Sequence, residues 1–262
     1  MFPYLHIFGK DIPLYSLMAL TGLAFALGYI LLRYKKSGLS RDDSIFALIY
    51  GAAGALAGAK ILSILTMLPQ IIQNIGLLQS NPALFLQVFV YSGFVFYGGL
   101  YGAFFGVWLY ACRWKIPFYS FMDPLLPAVP LIHAWGRIGC FFMGCCYGVP
   151  ADPPFGVSFA RSEIAPSGIC LLPVQLYESA GVFAIAAALI FLQYRRIRPQ
   201  TQLAVYLLSY AVLRFVLEFF RYDTYRGFLG PLSVSQVISI ATAAWGIALL
   251  AGYARRSKDA AA

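Results

Sequence analysis

The sequence predicts an all-α polytopic membrane protein of about seven transmembrane helices, with its N-terminus outside, its C-terminus cytoplasmic and a small extracytoplasmic head. Three observations lead there. Of the 262 residues, 61% are hydrophobic and only 11% charged, whereas soluble domains carry about 25% charged residues. Apolar segments long enough for a hydrocarbon core of about 30 Å, which takes roughly 20 residues of helix, recur near 14–33, 44–67, 90–112, 121–143, 175–194, 202–221 and 232–253. The basic residues alternate between the connections. Arg33, Lys35, Lys36 and Arg41 follow the first segment, Arg113 and Lys115 the third, Arg195, Arg196 and Arg198 the fifth, and Arg255, Arg256 and Lys258 the last. The connection at 68–83 has no charge and that at 144–174 has only Arg161 as a basic residue, so the positive-inside rule sets the orientation.

Each segment is read on its own terms. The first has no basic stretch before it and no small-residue cleavage site, which makes it a membrane helix rather than a removed signal. The second contains "GAAGALAGAK", Gly51 to Lys60, whose small residues at four-residue spacing let helices approach closely. "YGGLYG", Tyr97 to Gly102, reads either as packing glycines or as backbone that must approach a ligand. Alternating strands of about ten residues, the mark of a β-barrel, are absent. The stretch 149–172, rich in Pro and Gly, is the head. With no long repeat or linker, 1–262 reads as a single membrane domain. The net charge of +9 resides mostly in the loops that set topology. It suits anionic headgroups, and no basic face remains for nucleic acid.

Ionisable residues inside hydrocarbon carry the functional argument, because such charges are expensive and face a partner or a watery cavity. They are Lys60, Asp123, Arg137, Glu178, Arg214 and Glu218, with Arg221 at the edge of its helix. His133 and Arg137 stand at i and i+4, and Arg214, Glu218 and Arg221 at i, i+4 and i+7, so each set shares a helix face. Lys60 also reads as a snorkelling side chain, and Arg214–Glu218 as a structural pair. Arginines near the outer side of a membrane cavity most economically hold a phosphate, since the planar guanidinium grips two oxygens at once. A phosphate within a bilayer points to a phospholipid headgroup.

The five cysteines and two histidines show no recognisable zinc spacing, and no metal or cofactor is expected. Cys140, Cys145, Cys146 and Cys170 fall toward the outer half, where disulfides are permitted. A vicinal Cys145–Cys146 bond is strained, which favours Cys145 or Cys146 with Cys170. Cys140 also reads as a buried thiol acting as a small hydrophobe.

Taken in order, these motifs resemble the prolipoprotein diacylglyceryl transferase family. "GRIGCFFMGCCYG" is similar to the family's Gly-Arg-x-Gly-Asn-Phe-x-Asn-Gly-Glu-x-x-Gly, with Arg137, Gly139, Phe141, Gly144 and Gly148 in register. "FYGGLYG" resembles Phe-His-Gly-Gly-Leu-x-Gly, and "PVQLYE", Pro173 to Glu178, resembles His-Pro-Ser-Gln-Leu-Tyr-Glu. "LRFVLEFFR" with the following "LSVSQVISI" is similar to the late Arg-x-x-x-Glu-Phe-Phe-Arg helix and its successor, and "LYSLMALTG" to the first helix. The resemblance implies a bacterial inner-membrane enzyme that moves the diacylglyceryl group of phosphatidylglycerol to a cysteine thiol, in a prolipoprotein lipobox or another acceptor, and releases glycerol phosphate outside. It implies a phosphate grip by Arg137 and Arg214 with Glu218 orienting them, and catalytic positions at Tyr97 and Cys140. Tyr15, Gln175 and Glu178 would line the lipid cavity, Gly98, Gly99 and Gly148 would admit the headgroup to backbone, and Lys60, His133 and Arg221 complete the substrate-binding set.

This chain departs from the family pattern at four positions. Tyr97 stands where the family has histidine, Cys140 and Met143 where it has asparagines, and Cys145 where it has glutamate. A tyrosine of ordinary pKa near 10 is a poor base at neutral pH, and His133 is the nearest substitute in the sequence. The lipid-binding half of the mechanism therefore carries over better than the proton transfer. Two rival readings remain: a membrane thiol–disulfide oxidoreductase using Cys140, Cys145, Cys146 and Cys170, and a non-catalytic phospholipid-binding relative.

Overall fold

The computed structural model describes residues 3–7, 10–91, 95–222 and 227–259. They are mostly helical: α1 Leu14–Arg33, α2 Arg41–Gln73, the short α3 Gly76–Ser80 and α4 Pro82–Phe85, α5 Phe96–Trp114, α6 Phe118–Leu125, α7 Ala128–Met143, α8 Val174–Tyr194, α9 Pro199–Leu217 and α10 Val234–Asp259. Strands occur only as antiparallel two-stranded pairs among the described residues. Five helical segments are long and apolar enough to cross a membrane, or six when the bent pair α6–α7 counts as one span. The contacts divide the chain into two compact units, 38–121 and the remainder.

Two of the expected spans differ from the sequence reading. The third begins at Phe96 rather than near 90, after a π-helical stretch at Leu86–Tyr91. The glycines and tyrosines of Tyr97–Gly102 lower its hydropathy, and α5 is not among the helices apolar enough to cross. The fourth is bent by 43° between α6 and α7. Pro124 lies inside α6 and Pro127 caps α7, and proline removes a helical hydrogen bond and clashes with the preceding turn.

Within residues 38–121, α2 starts where Ser40 caps it, its side chain accepting the Asp43 amide at 2.9 Å. Asp42 and Asp43 then complement the positive helix terminus. The small residues of α2 meet those of α5 backbone to backbone. A Cβ on Gly98 would lie 2.3 Å from the Gly58 carbonyl oxygen, and one on Gly102 would lie 2.1 Å from that of Gly54. Close helix packing thus accounts for both glycine motifs. Gly102→Ala is expected to lower thermal stability in detergent by about 1–3 kcal/mol, the cost of overpacking a tight interface; an unchanged melting curve would contradict this crossing.

In the larger unit α1 lies on α7, α7 on α8, α8 on α9 and α9 on α10. Asp123 is clamped by Arg33 at 3.2 Å and Ser37 at 2.9 Å, so this acid joins the end of α1 to α6. The connection from α7 to α8 carries one short strand pair, Val157–Ser158 with Cys170–Leu171, over a small core of Phe159, Ala165 and Leu171 packed by Phe141 and Tyr147.

Candidate functional site

Glu178, on the first turns of α8, is 1% exposed and forms the centre of the site. One of its oxygens, Oε2, lies 3.1 Å from Arg137 Nε of α7 and 3.8 Å from Arg214 Nη1 of α9. Its other oxygen, Oε1, accepts the Tyr210 hydroxyl at 3.2 Å and lies 3.5 Å from His133 Nε2. Arg214 extends the cluster through Nη2, 2.7 Å from Glu218 Oε2 and 3.2 Å from the Ser235 hydroxyl. Arg137 Nε also donates to His133 Nε2 at 3.2 Å.

Local sequence explains this convergence. The i, i+4 spacing puts His133 with Arg137 and Arg214 with Glu218, and each pair is in contact. Ser179 ties α8 to α7 by donating to the Ala134 carbonyl at 2.9 Å, which fixes Glu178 one residue earlier at the level of Arg137. Arg137, Arg214, Arg221, Glu178 and Glu218 are all at most 9% exposed. Three buried guanidinium groups against two carboxylates leave an excess of one positive charge, suited to an anion.

The signature segment itself closes α7. Gly144 takes the left-handed conformation at φ +71°, and a side chain there would strike Ser162, so only glycine makes this cap without strain. The turn returns at once, with Cys145 N–H donating to the Cys140 carbonyl at 3.2 Å. Gln175 holds the Cys145 carbonyl at 2.6 Å, and Cys146 is left-handed at φ +60°. This turn brings the thiols of Cys140, Cys145 and Cys146 together, with all three sulfurs within 4.8 Å of one another. The Cys146 thiol is held well below its ordinary pKa, chiefly by hydrogen bonds from the Cys140 and Cys145 thiols, with Arg221 and Arg137 adding to the effect against burial.

Several site residues sit differently from the sequence reading. Glu178 rather than Glu218 is the acid shared by Arg137 and Arg214. Arg221 does not continue the helical face of Arg214 and Glu218, because α9 stops at Leu217 and a 3-10 turn over Glu218–Phe220 leads into extended backbone. Arg221 instead bridges Gly148 as a short antiparallel pair. The space above Gly148 is filled by Val174 and the Leu172 and Phe220 carbonyls. Tyr15, at the start of α1, rests on Gly139. All five cysteines are free, so the expected bond from Cys170 to Cys145 or Cys146 is not formed. Tyr97, Gly98, Gly99 and Lys60 belong to the 38–121 unit, where Tyr97 is buried and stacks on Tyr101.

The sequence reading missed two members. Tyr210 precedes Arg214 by four residues on the same face, a signal present but unused. Ser235 reaches Arg214 from α10 through tertiary packing alone, which no spacing announces. The cysteine cluster was also hidden, because a spacing of five and then one matches no familiar ligand pattern and depends on the left-handed turn at Gly144.

Comparison with known proteins places nearly the whole chain among relatives. The family model described as prolipoprotein diacylglyceryl transferase matches residues 3–252. A Clostridium tetani protein named phosphatidylglycerol–prolipoprotein diacylglyceryl transferase is 35% identical over 92% of this chain and 93% of its own length. Proteins carrying that name from Clostridium perfringens (numbered 2 there) and Bordetella avium are each 32% identical, over 93% of this chain and 91% and 90% of theirs. The matched residues span the whole Glu178 cluster, and the chain belongs to the prolipoprotein diacylglyceryl transferase family.

Proposed function

We propose that this protein moves the diacylglyceryl group of phosphatidylglycerol to a cysteine thiol, in a prolipoprotein or a related acceptor, at the outer face of a bacterial cytoplasmic membrane. The observation that carries the reading is the meeting of Arg137 and Arg214 on one buried carboxylate, within a chain whose relatives bear that activity in their names. The alternation of basic and uncharged connections supports seven spans, with the N-terminus and the site on the outer side.

The chemistry asks for what the cluster offers. A thiolate sulfur attacks a glycerol carbon, the C–S bond forms, and the C–O bond breaks with its electron pair leaving on phosphate. Fixed cations at the departing phosphate lower that barrier. Glu178 and His133 take Arg137 through its Nε, which aims the terminal nitrogens as the fork for phosphate, while Glu218 and Ser235 set Arg214. Tyr15 and Gln175 line the donor cavity.

Incubation of the purified protein with labelled phosphatidylglycerol and a lipobox peptide tests this reading. The expected products, by mass spectrometry, are a peptide bearing diacylglyceryl on its cysteine and an equal amount of glycerol phosphate. Intact lipid and unmodified peptide would contradict it. Arg214→Ala separates the redox rival, because thiol–disulfide exchange through the four outer cysteines needs no arginine and would survive. Tyr97→Phe is expected to lower transfer only a few-fold, the size of one lost hydrogen bond of about 1 kcal/mol. A dead variant would give Tyr97 a catalytic role.

A further inference from the structure

The transfer needs an acceptor thiolate, and this chain has Tyr97 where the family pattern has histidine. Beside the arginine cluster it has something else, three thiols gathered by one turn. We propose that Cys140, Cys145 and Cys146 hold a zinc ion whose fourth position takes the acceptor thiol and presents it as a thiolate. The proposal rests on the transferase reading for the identity of that fourth ligand, and on this chain's own cysteines for the site.

Zinc prefers four ligands in a tetrahedron at about 2.3 Å from thiolate sulfur, and catalytic zinc keeps three protein ligands and one open position. Sulfurs so placed stand about 3.8 Å apart, and the three here already lie within 4.8 Å of one another, so closing on a zinc ion asks each pair to approach by no more than about 1 Å. The backbone is held for it. The Cys140 carbonyl accepts the Cys145 amide, Gln175 grips the Cys145 carbonyl, and the Gly148 amide donates to Leu172 at 2.9 Å. Three thiolates on Zn²⁺ carry a net charge of −1, and two buried cations flank the turn: Arg137 lies three residues before Cys140 on α7, and Arg221 bridges Gly148 just after Cys146. All three cysteine residues are partly rather than fully buried, and catalytic zinc needs such access for its fourth ligand. A soft, all-sulfur set disfavours Mg²⁺ and Ca²⁺, which seek oxygen.

The step balances without an oxidant. The acceptor thiol gives its proton to water as sulfur binds zinc, since a coordinating thiol is deprotonated outright. That sulfur then attacks the glycerol carbon, the C–O bond breaks toward phosphate, and the thioether product, a far weaker ligand, leaves the metal. At pH 7 a free thiol of pKa about 8.5 is a few per cent thiolate. Coordination makes it nearly all thiolate, at the cost of some nucleophilicity, and places it beside the donor, a further gain in rate. Together these amount to at least about tenfold at neutral pH.

The test uses the full chain in detergent, purified with zinc chloride present. Elemental analysis is expected to find about one zinc per chain in the wild type and in Arg214→Ala, and less than about a tenth of that in Cys146→Ser. In protein exchanged with cobalt chloride, a lipobox peptide with a free cysteine should change the visible spectrum, and its serine analogue should not. Removing metal with a chelator should lower transfer at pH 7 about tenfold or more, move the pH–rate midpoint up toward about 8.5, and be reversed by zinc. Because chelation acts on the wild type, a Cys146→Ser chain that fails to fold leaves the test intact. Active protein with no bound zinc, with copper in its place, or with a disulfide among the three cysteines overturns the proposal and leaves the transferase reading standing. Zinc that is present but indifferent to the peptide thiol overturns it too. Zinc and a peptide-sensitive cobalt spectrum without any transfer from phosphatidylglycerol uphold the site and refute the donor reading instead.

Discussion

Glu178→Ala will leave the protein both inactive and markedly less stable. The substitution strips two guanidinium groups, on α7 and α9, of a carboxylate that is 1% exposed and lies 3.1 Å from one and 3.8 Å from the other. Removing one partner of a buried ion pair costs about 3–5 kcal/mol, because the remaining charge keeps its desolvation without compensation. Here the orphaned charges repel one another as well. Thermal unfolding in detergent reads the stability, and transfer from phosphatidylglycerol reads the activity. Tyr210→Phe supplies the contrast. It removes one hydrogen bond to Glu178 Oε1 and leaves the ion pairs, so a loss of about 1–1.5 kcal/mol is expected. Equal damage from the two variants would mean that α8 is held here by packing rather than by charge.

Arg137→Lys will lose at least about 100-fold in transfer despite keeping its charge. An ammonium offers three donors on a flexible stem, whereas the guanidinium is a planar fork that can meet two phosphate oxygens with its Nε kept on Glu178 and His133. A single well-placed donor to a developing anion is worth about 2.7–4 kcal/mol. Steady-state kinetics with phosphatidylglycerol measures the loss, and near wild-type turnover would assign Arg137 to structure alone. The charge-conserving change should also spare stability better than Glu178→Ala, since the lysine still compensates the carboxylate.

How much of this was legible beforehand differs from residue to residue. The apolar segments announced α1, α2, α8, α9 and α10, because a membrane helix must satisfy its backbone internally and face hydrocarbon with its side chains. The break at Pro127 and the late start of α5 were less legible. Both depend on how glycine- and proline-rich stretches pack, and the same apolar composition suits straight or broken helices. In the site, i, i+4 spacing found the pairs His133–Arg137 and Arg214–Glu218 because the first lies within α7 and the second reaches only to the cap of α9, where the backbone is still helical. That Glu178 sits between those pairs is a property of how α7, α8 and α9 pack, and spacing within one helix carries no trace of it. Arg221 shows the opposite error, a helical period extended four residues past the end of the helix. The cysteines show a third kind: Cys140, Cys145 and Cys146 meet only because Gly144 turns the chain left-handed.

Donor binding across a double-mutant cycle of Arg137→Ala and Arg214→Ala tests the central claim most directly. Native mass spectrometry of the detergent-solubilised chains would compare phosphatidylglycerol with uncharged diacylglycerol. Two arginines that hold one phosphate are coupled, so each single variant should lose most of the phosphatidylglycerol binding, the double variant little more, and the neutral lipid should bind all four proteins alike. Retention of phosphatidylglycerol by both single variants at the wild-type level would contradict the account, and would make Arg137, Glu178 and Arg214 a structural clamp rather than the grip on the donor.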